Sequence, residues 1–385
     1  GRPKFITFRV ADTHASNRVN KLIFDAAGDL WCGTDDGIYR APAESAAAGI
    51  PQFKPLPVDV GVAGSSGSGL ADNRGHIWFN VGNGLVEVAS DQVLRFADEP
   101  FRQGAVAMAK DAQGNIFAAA DTGIFEFVSP LSANARGGWR KLPLNLNPAN
   151  GIVTMIHDDE GAFWIGTLHG LVKYRNSQQS LYGVAQGLSD EHVSSLCQDR
   201  DGNLWIGTWD GGVCKLAGEM MVSFGKPEGM LSSVHKIIEG QDGHIIACLY
   251  PGGLAQFVDG KLVPIPRSQR APFARIGTRV LQGRDGQWWI ATEAEPRGGL
   301  FAFRNPHYDW STASDSLALT RLVGIGSASF MKPEMARSGQ GPVVTSIGSI
   351  LIVGRRHFTN ALRWSFLRLS VFSRSRRRRD MVPAF

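Results

Sequence analysis

Seven times in the first 300 residues an apolar run ends at an acidic or glycine residue, and a bulky apolar residue follows six positions later. The runs RVNKLIFD, GIVTMIHD, HVSSLCQD and VHKIIEG read as strands. The residue six positions on is Trp31, Trp78, Phe117, Trp164, Trp205, Ile246 or Trp289. Each of these opens a second apolar run that reaches a glycine-containing tip. A third run then follows: GIYR, GLVEV, GIFEF, GLVKY, GGVCKL, GGLAQF or GGLFAF. A fourth strand shows in places, as LYGV near 181 and MVSFG near 221. The pattern predicts four short strands per unit and seven units.

The units align on Gly28, Gly75, Gly114, Gly161, Gly202, Gly243 and Gly286, at spacings of 47, 39, 47, 41, 41 and 43 residues. A period in the low forties is the length of a four-stranded propeller blade. Asp stands three residues before the Gly in five of the seven turns, as a type I turn prefers. A bulky ring recurring at one strand position suits a wedge between neighbouring sheets. The expected fold is all-β: a seven-bladed propeller of four-stranded antiparallel blades over 1–303, then an irregular basic extension over 304–385. The N-terminal strand near Phe5–Val10 is expected to complete the last blade after Phe301–Phe303.

Composition agrees. With 385 residues the chain exceeds one ordinary core, so it needs several domains or stacked repeats. Its 46 glycines suit many tight turns. The net charge of +5 is uneven, because the segment from Arg304 onward holds 13 Lys+Arg against 4 Asp+Glu. The body is therefore mildly acidic, and nucleic-acid binding is not inferred for it. No apolar run is long enough to span a bilayer as a helix. There is no initiating Met and no signal-peptide pattern, which reads as a mature form or a fragment.

The repeats NRVNKLIFDAAGDLWCGTDDGIYR and GLSDEHVSSLCQDRDGNLWIGTWDGG resemble the two-component regulator propeller repeat, and the resemblance covers about 1–303. That repeat builds the extracytoplasmic sensor portion of many bacterial hybrid histidine kinases. It implies a periplasmic, ligand-sensing, non-catalytic module that carries the sensing part without a kinase. The implied partners are a small polar ligand such as an oligosaccharide and the parent protein's downstream signalling domains, with a homodimer left open. No cofactor and no metal are expected.

Ser233 and Lys236 have the spacing of a serine–lysine pair, but a strand turns them to opposite faces. Asp199 and Asp201 resemble the start of a calcium loop, yet the closing Glu is missing and Thr208 stands there. The four cysteines, Cys32, Cys197, Cys214 and Cys248, fall at apolar or small repeat positions and read as free core thiols. In a propeller the loops entering the inner strands and the tips of the second hairpins share one face. The candidate ligand-binding residues there are Arg18, Asp36, His169, His192, Trp209, His235 and Arg279, a set suited to a polar or anionic ligand. Two other functions stay open: a metal-dependent propeller lyase or lactone hydrolase using the rim histidines, and a protein-interaction scaffold. The Arg-rich tail reads as a low-order extension or frame-shifted sequence, as a basic amphipathic helix over Asn360–Phe372, or as a binding arm on Arg374–Arg379.

Overall fold

The computed structural model describes residues 6–47, 50–56, 68–89, 92–129, 137–144, 151–225, 233–250, 253–264, 278–292, 299–303, 345–347 and 350–352. The first 303 residues form seven four-stranded antiparallel sheets, each ordered from its innermost to its outermost strand, and they are numbered here as blades 1 to 7. The inner strands are Val19–Phe24, Gly69–Ala71, Ala107–Lys110, Ile152–His157, Val193–Gln198, Ser233–Glu239 and Thr278–Gln282. Each contacts the inner strand of the next blade, and the last contacts the first, so the ring closes. In blade 7 the outermost strand is Ile6–Phe8, paired with Leu300–Ala302. The predicted closure is therefore the one observed.

The repeat's consensus has a physical cause at each place. All seven anchoring glycines have φ between +76° and +91°, a left-handed conformation that L side chains resist. In blade 5 Asp199 Oδ1 accepts the backbone N–H of Asp201 and Asn203, at 3.1 and 2.8 Å. Its Oδ2 accepts the Trp205 indole N–H at 2.8 Å. The same indole-to-carboxylate bond joins Trp31 to Asp25 and Trp164 to Asp158, at 2.9 and 2.7 Å. The Asp thus closes the turn and satisfies a buried donor. The calcium-loop likeness of Asp199 and Asp201 is this turn.

Each bulky residue wedges against the following blade. Trp31 packs among Ile77, Phe79 and Val86, Trp205 among Val234, Ile237 and Ala247, and Trp289 among Leu22, Leu30 and Cys32. Basic residues of the third strand cover three of the rings: Arg40 over Trp31, Lys173 over Trp164 and Lys215 over Trp205, at 5.1, 4.7 and 5.2 Å. The small residue two places after the Trp is set by the next blade as well. A Cβ on Gly207 would lie 2.7 Å from a Val234 methyl.

Two sequence expectations need adjustment. His235 and Arg279 belong to inner strands rather than to the loops entering them, because those strands start early: Ser233 pairs with Tyr250 and Thr278 with Thr292. All four cysteines are free, as expected, but Cys197 is only partly buried.

The chain divides into two compact units, Gly1–Leu319 and Thr320–Phe385. In the second, Thr345–Ile347 and Ile350–Ile352 form a two-stranded hairpin. The helix expected over 360–372 and the arm over 374–379 lie outside the described residues.

Candidate functional site

Each inner strand starts at one face of the ring and runs to the Asp turn at the other, and the second strand's hairpin tip returns to the first face. Backbone bonds lock the two together. The tip residue's N–H donates to the entry-loop carbonyl in blades 1, 4 and 5: Asp35 to Arg18, Leu168 to Gly151 and Trp209 to His192, at 3.3, 3.1 and 3.0 Å. The Thr of the repeat stiffens the tip. Thr167 Oγ1 donates to the Gly170 carbonyl at 2.8 Å and accepts from the His169 N–H at 3.0 Å. Thr208 does the same with Gly212 and Gly211, at 3.0 and 3.1 Å. Side chains on these tips stand on a rigid frame, as a recognition surface requires.

The tip row is asymmetric. In blades 4, 5 and 6 it carries Leu168, Trp209 and Tyr250, exposed by 40, 53 and 47%. In blades 1 and 3 the same place holds Asp35 and Asp121. Two of the predicted histidines flank the aromatic arc. His192 lies 6.1 Å from Trp209, ring centre to ring centre, and His235 stacks on Tyr250 at 5.4 Å with 24° between the planes. His169 is exposed on the blade 4 tip. Three consecutive blades therefore present an apolar and imidazole-bearing arc.

Arg18 and Asp36 stand on blade 1 and are committed to their own blade. Arg18 Nε pairs with Asp35 Oδ2 at 3.2 Å. Asp36 Oδ2 accepts from Thr13 at 2.9 Å and from the Tyr39 hydroxyl at 3.3 Å. Burial, followed by the nearby Asp36 charge, pushes the Tyr39 phenol above its usual range. Arg279 lies deeper. It crosses from blade 7 to blade 1, where its Nε donates to the Asn20 carbonyl at 3.0 Å.

The strand register places further residues beside Arg279. In blades 1, 4, 5 and 6 a bulge interrupts the inner strand at Asn20, Val153, Ser194 and His235. The residue after the bulge faces a small partner on the second strand: Lys21 opposite Gly33, Thr154 opposite Gly166, Ser195 opposite Gly207, and Lys236 opposite Cys248. Arg279, opposite Ala291, holds the same position in blade 7. Lys21 and Lys236 escape a sequence reading because a lone Lys in an apolar run looks like a solvated face. The bulge and the closure of the ring, which joins residues more than 200 positions apart, are what bring them together.

Burial pushes the Lys21 ammonium down to about 7, and the charges of Lys236 and Arg279 push it the same way. The Lys236 ammonium is lowered by burial as well, with the thiols of Cys197 and Cys248 opposing and Arg279 adding to the shift.

Among the described residues, one group has the composition of a metal site: Asp72, His76 and Glu87 of blade 2, their ligand atoms within 4.8 Å of one another. It sits at the Asp turn, at the other end of the inner strand from the tips. Glu87 occupies the place that Arg40, Lys173 and Lys215 hold over the indoles of other blades. His76 Nδ1 approaches Glu87 Oε1 to 2.7 Å, and the Arg74 guanidinium pairs with Asp72 Oδ2 at 3.0 Å. Burial raises the Glu87 carboxyl while His76 lowers it. Arg74 and the Trp78 indole already occupy Asp72 Oδ2, so the geometry is that of a charge-compensated network around an acid standing where a cation usually stands.

A closed seven-bladed propeller does not by itself define a function, which rests on the residues mounted on it. Residues 187–210, which run from the entry loop of blade 5 to its tip and include His192 and Trp209, match the family described as two component regulator propeller. No curated protein sequence matches this chain. Solved structures that share the fold include a streptogramin B lyase, 13% identical with a TM-score of 0.61, covering 79% of this chain and 98% of that one. The virginiamycin B lyase of Staphylococcus aureus is 11% identical at a TM-score of 0.59, with 78 and 98% covered. The extracellular domain of a putative hybrid two component system from B. thetaiotaomicron is 19% identical at a TM-score of 0.60, covering 79% of this chain and 41% of that domain. This chain thus spans well under half the length of that extracellular domain. Among the described residues no helix is long and apolar enough to cross a membrane.

Proposed function

We propose that the propeller is the non-catalytic, ligand-sensing module of an extracytoplasmic two-component signalling protein, and that its ligand is a polar oligosaccharide held on the tip face of blades 4 to 6. The observation that carries this reading is the arc of Leu168, Trp209 and Tyr250 on three stiffened tips, flanked by His192 and His235. An exposed aromatic ring on a rigid turn stacks on the apolar face of a sugar, and the imidazoles donate to its hydroxyls. The match at 187–210 supports the two-component assignment, because it falls on the blade that carries Trp209. Downstream signalling domains of the parent protein, and a second copy of this chain, are the macromolecular partners this role calls for.

A glycan array followed by calorimetry tests the reading. Trp209→Ala and Tyr250→Ala should each weaken a glycan hit about tenfold or more, as the loss of a stacking platform does, and should leave the melting temperature nearly unchanged. A hit whose affinity survives both substitutions places the site elsewhere.

The lyase neighbours favour one competing reading, a metal-dependent enzyme. It predicts that the purified propeller holds a divalent cation at the tip face and that chelation abolishes ligand turnover. The sensor reading predicts that chelation leaves ligand affinity untouched.

A further inference from the structure

One position repeats around the channel, two residues below the hairpin tips. In blades 1 to 7 it carries Lys21, Ser68, Ala107, Thr154, Ser195, Lys236 and Arg279. None of the seven is acidic, and the three cations are consecutive, on blades 6, 7 and 1. At about 3.3 Å per residue the level lies roughly 7 Å beneath the tips.

Arg279 is fixed across the joint by its bond to the Asn20 carbonyl, next to Lys21. Lys236 faces Cys248 and lies near Cys197, which are thiols and not carboxylates. Among the described residues neither lysine has a carboxylate at ion-pair distance, and both are partly buried. Asp35, on the rim of blade 1, is already shared by Arg18 and Asn20. Three mutually repelling cations gathered where burial penalises charge weaken the fold unless an anion joins them. The lowered ammoniums of Lys21 and Lys236 express the same strain.

We infer that Lys21, Lys236 and Arg279 form a seat for an oxyanion (carboxylate, sulfate or phosphate) in the mouth of the channel. The seat needs the tip face to be open to ligand, as the proposed function does, but it does not need the aromatic arc. A single anionic group reaching about 7 Å below the rim meets a guanidinium with fork geometry and two flexible ammonium groups, a donor set that suits any of the three anions. If one ligand fills both places, it is an acidic rather than a neutral saccharide.

The test is calorimetric titration of the full chain with sodium sulfate, inorganic phosphate and D-glucuronate, each at an ionic strength held constant with chloride. Wild type should show saturable one-site binding of at least one of them. Lys21→Met and Lys236→Met should each weaken it about tenfold or more, since a charge-assisted bond is worth roughly one to two decades of affinity. Lys236→Arg should retain binding, as should Lys54→Met, which removes an exposed charge far from the channel mouth. Preference for glucuronate identifies a sugar acid as the source of the anion, and preference for sulfate or phosphate an ester or the free ion. In chloride buffer free of sulfate, phosphate and carboxylate the double variant Lys21→Met, Lys236→Met should melt at or above the wild-type temperature.

No saturable binding over chloride, binding retained by the double variant, or a lower melting temperature for that variant would each overturn the seat. Trp209→Ala should keep its sulfate, phosphate or glucuronate affinity. Loss of the seat with intact neutral-glycan binding sinks this inference alone, and the reverse sinks the aromatic arc alone.

Discussion

At the scale of single residues, the recurring Trp is the part of the fold most open to reading in advance, because one bulky side chain per period has to be buried somewhere. Trp205, 2% exposed between blades 5 and 6, shows where. Its replacement by Ala should cost about 3–5 kcal/mol, measured by denaturant unfolding. What the sequence conceals is the partner. Asp199 reads as a turn residue, while its second oxygen, unseen in any spacing rule, takes the indole N–H. Burial alone would raise that carboxyl, but the donors Trp205 and Asn203 outweigh it and hold Asp199 below the usual range. A carboxyl depressed in the folded state adds stability above its unfolded value and loses it as pH falls through the folded one. Asp199→Asn should therefore destabilise by about 1–3 kcal/mol at pH 7, and the gap to wild type should shrink below about pH 4. A gap that is flat with pH would mean that the ionised form contributes nothing.

At the scale of the strand and the hairpin, legibility falls from the centre of the ring outward. Inner and second strands are apolar runs with sharp ends, so their places follow from pattern. The outermost strands, such as Lys54–Pro55 and Gly138–Lys141, are short and largely exposed, and leave little hydrophobic signal. The bulges that advance His235 and Lys236 by one place have no marker residue, so neither the channel position of Lys236 nor the stacking of His235 on Tyr250 can be read from the chain. The tips were legible as a face but not as an arc, since exposure of Leu168 and Tyr250 depends on what neighbouring blades leave uncovered. The small residue behind each tip belongs to the same packing. Gly207→Ala should cost about 1–3 kcal/mol by driving Val234 out of place, whereas Gly218→Ala, at an outer turn with open space around its Cβ position, should cost less despite its positive φ.

For the molecule as a whole, counting seven in-register units was enough to foresee a closed ring, and the pairing of Ile6–Phe8 with Leu300–Ala302 is the joint that closes it. The joint covers the edge of Gly299–Phe303, which would otherwise be unpaired. Deleting residues 1–10 should replace one cooperative melting transition by a broad one with aggregation, and a truncated chain that melts like the intact one would show that the joint carries little of the stability. Net charge, by contrast, says little at this scale, because the basic excess sits from Arg304 onward while the body is mildly acidic.

The claim that matters most is that ligand meets the hairpin-tip face and not the Asp-turn face. Hydrogen–deuterium exchange, followed with and without a glycan or anion hit, reads this directly from the backbone. The account predicts that a glycan hit slows exchange only in the tips and entry strands at 167–170, 190–194, 208–211, 233–236 and 249–250, and an anion hit at 19–21, 233–236 and 278–280, with the Asp turns at 72–76, 158–162 and 199–203 unchanged in both. Protection at those Asp turns with the tips unaffected would contradict it.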